Sequence, residues 1–159
     1  TIKTVMATLT TTITEEIVLN GKDRGSSNVL SIASVTEVLH RIVTCPANVD
    51  TTIASFQAAV NTSDGALDLD NVKYIRVTNL DSSNPINLSL QIALGEDGAP
   101  NASTTILIAA GRSFIMGSPH DGIVVDDDAA TIVTGLNDLE SLLVDPSANN
   151  VSVEVFIAS

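Results

Sequence analysis

The chain has 159 residues and a mass of 16.5 kDa, enough for one domain and too little for two. Seven Lys and Arg stand against 19 Asp and Glu, a formal net charge of −12, so the overall field repels phosphate backbones and anionic lipids and excludes nucleic acid and membrane as expected partners. One Tyr, three Phe and no Trp leave little to stack bases or sugar rings, and the single Cys45 excludes an internal disulfide framework or a multi-cysteine zinc site.

Val (17), Ile (15) and Thr (17) make up about 31% of the chain, and β-branched side chains suit a pleated, half-buried surface better than a helix. The start, Thr1 to Met6, has no basic region or apolar run of a signal peptide, and a soluble, unexported protein is expected. Residues 1–14 are rich in Thr, at Thr8, Thr10, Thr11, Thr12 and Thr14, and read as an edge strand or an extended arm that packs on a neighbouring molecule. Val35, Val38, Leu39, Ile42 and Val43 fall at helical spacing, with Ser34 and Glu37 placed as a capping box. Five of the nine residues from Val35 to Val43 are β-branched, however, and Thr44-Cys45-Pro46 ends a strand equally well, so a strand is preferred. His40 and Cys45, five apart on that strand, then face opposite ways, and Cys45 reads as a buried structural thiol.

Farther on, Val72 to Asn79 and the strict alternation Ile86, Leu88, Leu90, Ile92, Leu94 flank a polar segment from Leu80 to Pro85, and residues 72–94 are expected to form a hairpin. Gly95-Glu96-Asp97-Gly98 is a turn, since a phosphate cradle needs a following Lys that is absent. Ser118, His120 and Asp121 hold the residue types of a hydrolase triad, but neighbours in one loop rarely converge and no G-x-S-x-G elbow is present. Leu139, Leu142 and Leu143, behind Asn137 or Asp138 as a cap, leave room for one short helix over 136–144. Val151, Val153, Val155 and Ile157 then alternate as a final strand.

Turn signals at Asn20-Gly21, Asp64-Gly65, Asp97-Gly98, Ala110-Gly111, Asp121-Gly122 and Asp145-Pro146 separate eight to ten short strands. With no βαβ alternation, the expectation is a single all-β domain over residues 1–159, an antiparallel β-sandwich of jelly-roll or related Greek-key type. Two acidic clusters could offer oxygen ligands to calcium: Asp64, Asp68 and Asp70, and Asp121 with Asp126, Asp127 and Asp128. Neither fits an EF-hand loop, and solvated surface loops are the simpler reading; no other cofactor and no catalytic group is expected.

Tyr74-Ile75-Arg76-Val77-Thr78-Asn79-Leu80-Asp81, then Pro85 to Leu90, then Ala110-Gly111-Arg112-Ser113-Phe114-Ile115-Met116-Gly117 resemble strings found in small structural proteins of tailed phages, especially phages of cyanobacteria. The match covers residues 72–117 and, loosely, Val153 to Ile157. The resemblance implies assembly in place of catalysis: a capsid decoration or cement protein on the virion surface, made in the host cytoplasm. Its partners would be the major capsid protein and copies of itself, as a dimer or trimer. Rival readings are a tail, neck or fibre component of the same kind of particle, or a calcium-dependent β module that binds a cell surface or glycan through the acidic clusters.

Overall fold

A computed structural model describes residues 6–57, 67–68, 72–92, 102–117, 123–125 and 136–159. The strands, in chain order, are β1 (Ala7–Glu15), β2 (Val18–Leu19), β3 (Lys22–Asp23), β4 (Ser26–Val35), β5 (Val38–Cys45), β6 (Thr51–Gln57), β7 (Leu67–Asp68), β8 (Tyr74–Asn79), β9 (Ile86–Ile92), β10 (Ala102–Ile108), β11 (Ser113–Gly117), β12 (Val124–Val125), β13 (Asn137–Asp145) and β14 (Val151–Ala158). No helix occurs among the described residues.

Two antiparallel sheets form a β-sandwich. One has the order β11-β8-β14-β5, and the other β10-β9-β13-β6, extended by β7, which runs parallel to β6, and by β12 beside β13. The two-residue alternation of each strand sends one set of side chains between the sheets. Ile75, Val77, Val153, Val155 and Ile157 from the first sheet meet Ile53, Ile86, Leu88, Leu142 and Val144 from the second, all fully buried. When the strands β5, β6, β8, β9, β10, β11, β13 and β14, four from each sheet, are counted from one to eight, the sheets read 1-8-3-6 and 2-7-4-5.

The segment 72–94 is not a hairpin. β8 and β9 lie in different sheets, and residues 80–85 carry the chain across the sandwich between them. Alternation fixes which face of a strand is buried but not which strand lies beside it, so a polar turn between two such strands serves a hairpin or a crossing equally well. Asn79, fully buried, builds the crossing. Its Nδ2 donates to the carbonyls of Asn84 (2.8 Å) and Ile108 (3.3 Å), and its Oδ1 accepts from the Asp81 amide at 3.0 Å. The second crossing, from β10 to β11, turns at Ala110-Gly111, where Gly111 sits at φ 67 as such a turn requires, and Asn79 N donates to Arg112 O at 2.9 Å. One asparagine therefore ties both crossings together.

The short helix allowed over 136–144 is replaced by β13. Its pairing with β9 slips between Leu139 and Ser141, placing an extra residue on β13, so Leu139 and Leu142, three apart, both face the core. A β-bulge imitates helical spacing here. The preferred strand over 35–43 is present, but it begins at Val38, because Thr36 and Glu37 link two strands and donate their amides to Ser159 O at 2.7 and 3.2 Å. The helix-like pattern arose because Val38 and Ile42 are apolar residues on the exposed side of β5, while Leu39, Val43 and Cys45 face the core.

Candidate functional site

Among the described residues, the part that departs most from the sandwich is a long hairpin, β1 paired with β4, whose base packs on one end of the first sheet. Its tip is a second small hairpin, β2 with β3, closed by Asn20-Gly21 with φ 53 and 71, the two positive values a two-residue turn of this hand needs. Leu9, Leu30, Ile32 and Val35 pack on Tyr74, Phe156 and Ala158, residues of β8 and β14 on the face away from the main core. Leu30 also covers β11, where its Cδ2 lies 3.2 Å from the place a Cβ on Gly117 would occupy. Lys73 Nζ donates to Ser34 O at 2.9 Å and pins the base, beside a bulge at which Ser34 takes φ 57.

Beyond that anchor the ribbon is bare: every residue from Thr12 to Val29 is exposed. Cross-strand partners share a face, so Leu9/Ile32, Thr11/Leu30 and Ile13/Asn28 form one stripe, of which Ile13 is already outside the sandwich's cover. Ile17, Val18 and Leu19 continue the apolar character into the tip, at 53%, 72% and 57% exposure. Two-stranded ribbons are marginal in water on their own, so such an element is stabilised by what it touches. Its neck is tightly made: a Cβ on Gly25 would stand 2.1 Å from Glu15 O, Gly25 N donates to Asp23 Oδ1 at 2.8 Å, and Ser26 Oγ donates to Glu15 Oε2.

On the outer face of the first sheet, Glu154 accepts from Arg76 Nη1 at 2.7 Å and contacts His40 Nε2 at 2.8 Å. The Arg76 hydrogen bond, then that from His40, holds the Glu154 carboxyl down at about 2. Arg76 also donates to Thr78 Oγ1 at 2.6 Å, and Thr78 shares a hydrogen bond with Ser113 at 2.8 Å. The row spans all four strands of the sheet, and its charged groups are satisfied by one another. On the opposite outer face a shallow groove of about 320 Å³ is lined by Asp50, Asn87, Ser89, Gln91, Thr105, Leu143 and Asp145. Its lining is polar, with Gln91 Nε2 donating to Ser89 Oγ at 2.7 Å.

Of the calcium candidates, Asp64, Asp70, Asp121, Asp126, Asp127 and Asp128 lie outside the described residues, as does the side chain of Asp68, whose backbone ends β7. Ser118 and His120 also lie outside them. Among the described residues no three His, Cys, Asp or Glu side chains converge on a common point. His40 stands on the exposed face of β5, while Cys45 is fully buried on the other, and burial pushes its thiol above the ordinary range. The sequence reading missed β4 as the second half of the arm, although Asn20-Gly21 between two Ser/Thr-rich runs is a hairpin signal. No local signal could join His40 to Glu154, 114 residues away. No protein-family model, curated protein or solved structure matches this chain.

Proposed function

We propose that this chain is a non-enzymatic structural protein of a phage virion, a decoration or cement protein that binds the outer surface of the head through repeated contacts with the major capsid protein. The observation that carries the reading is the hairpin arm. A ribbon anchored at its base by Tyr74, Phe156 and Ala158, and exposed from Thr12 to Val29 with Ile13, Ile17, Val18 and Leu19 on its surface, is shaped to reach another molecule. The strand order 1-8-3-6 facing 2-7-4-5 supports the finer assignment of a jelly roll, an architecture used in viral capsids and also in lectins, so the fold alone does not select the function. The strings at Tyr74 to Asp81 and Ala110 to Gly117, which resemble phage structural proteins, comprise β8 with the start of the first crossing and the turn of the second crossing with β11, and thus lie in the framework that holds the arm. On a symmetric shell, many weak contacts of this kind add up to firm attachment.

Quantitative mass spectrometry of particles of a phage encoding this chain, with heads and tails separated, tests the reading. A copy number near that of the major capsid subunit in the head fraction is expected. A few copies confined to tails move the protein to a tail, neck or fibre role, and absence from particles overturns the proposal.

A further inference from the structure

We infer that β1 is the seam of a two-fold dimer, pairing antiparallel with β1 of a second copy to make a four-stranded sheet of order β4-β1-β1-β4. Among the described residues β1 pairs only with β4, and no described strand lies along its other edge. Exposed edges are ordinarily blunted by Lys, Pro, bulges or brevity. β1 has nine residues, no Pro, no basic residue and a single charge, Glu15, at its end; the extra residue in its pairing with β4 falls on the β4 side, beside Ser34.

The sequence of that edge names its occupant. Within β1 the segment Thr8-Leu9-Thr10-Thr11-Thr12-Ile13-Thr14 keeps one pattern of Thr and aliphatic residues in both directions about Thr11: Thr12 answers Thr10, the aliphatic Ile13 answers Leu9, and Thr14 answers Thr8. Antiparallel pairing across a two-fold axis through Thr11 sets each residue against its counterpart, giving Thr–Thr pairs on one face and Leu9 against the second copy's Ile13 on the other. The half-exposed Ile13 then gains an apolar neighbour on the face that Leu9 and Leu30 already share. No like charges meet along the seam.

Charge directs two copies to the same place. Residues 1–35 hold three bases, Lys3, Lys22 and Arg24, and three acids, Glu15, Glu16 and Asp23, and are neutral in sum. The whole net charge of −12 therefore resides on residues 36–159, and the arm is the part by which two such molecules approach without repulsion. The antiparallel arrangement also carries the exposed tip of each copy, Ile17 to Leu19, alongside the anchored base of the other.

The inference does not rest on the virion reading: absence from particles would remove that reading and leave the dimer untouched. Its test is the molar mass of the full chain by light scattering after size exclusion, from micromolar to near-millimolar concentration. The wild type is expected at twice the chain mass of 16.5 kDa. The double variant T10K/T12K, which sets Lys against Lys across the seam on an exposed face, is expected at the chain mass with its thermal melt still cooperative. A third variant, T11C, is expected to form a disulfide-linked dimer on oxidation, because paired residues on adjacent strands lie about 4.5–5.5 Å apart at Cα, within disulfide reach, whereas the buried Cys45 of the wild type gives none. A wild type that is monomeric throughout overturns the inference. So does a dimer that survives T10K/T12K, or one that is lost instead to T105K on β10, another edge strand without a charged residue.

Discussion

Leu88 sits midway along β9, between β10 and β13, with no exposure, while Leu107 on neighbouring β10 is 67% exposed. Truncating each to Ala therefore separates burial from composition. Leu88→Ala removes three carbons from water-free surroundings, about 2.4 kcal/mol at roughly 0.8 kcal/mol per methylene. The unfilled space adds to this, and buried Leu→Ala changes cost about 2.7–5 kcal/mol in total. With an unfolding entropy near 2.1 cal/mol/K per residue, 159 residues give about 0.33 kcal/mol/K, so each kcal/mol lowers Tm by about 3 °C. Leu88→Ala is expected to lower Tm by about 8–15 °C in calorimetry, and Leu107→Ala by less than about 3 °C, since most of its surface is already wet. If the two variants melt within about 2 °C of each other, the assignment of inner and outer faces in the second sheet is wrong.

Asn79→Ala strips hydrogen bonds from the carbonyls of Asn84 and Ile108 and from the Asp81 amide at the junction of both crossings, and is expected to cost about 2–3 kcal/mol in urea unfolding. An effect below about 0.5 kcal/mol would show that the crossings do not depend on it. Glu154 has its folded pKa lowered from 4.5 to about 2, so its contribution is fully present above about pH 4.5 and is lost as pH falls toward 2. Because Arg76 and Glu154 remain a quarter exposed, the stability gap between wild type and Glu154→Gln is expected to be only about 1 kcal/mol at pH 7 and to close near pH 2. A gap that does not change with pH excludes the ion pair as its source. Gly25→Ala forces a Cβ against Glu15 O at 2.1 Å and is expected to speed hydrogen exchange in the arm while leaving the sandwich melt unchanged; unaltered exchange there would refute the close approach of Gly25 to Glu15.

Much of the architecture was legible because a β-strand declares its buried face every second residue. Ile86, Leu88, Leu90 and Ile92, and Val151, Val153, Val155 and Ile157, announce their strands, and the β-branched composition and scattered turn signals announce an all-β sandwich. Asn20-Gly21 and Ala110-Gly111 mark turns because their backbones need positive φ. The symmetric pattern of Thr and aliphatic residues about Thr11 is likewise written in the chain, though it acquires meaning only once β1 is seen to lie at the edge of its sheet among the described residues.

Tertiary structure alone decided which strands are neighbours. Pairing partners are set by long-range packing, and the pattern of Val72 to Ile92 is the same whether residues 80–85 turn back within one sheet or step to the other; the buried side chain of Asn79 settles it. A bulge shifts the phase of β13 so that Leu139 and Leu142 point the same way, which local periodicity reads as a helix. Ser34, at a positive φ that its residue type does not announce, bends β4 where the arm meets the sandwich. The row from His40 through Glu154 and Arg76 to Ser113 exists only because β5, β14, β8 and β11 lie side by side, and chain order, which separates these strands widely, holds no trace of that adjacency.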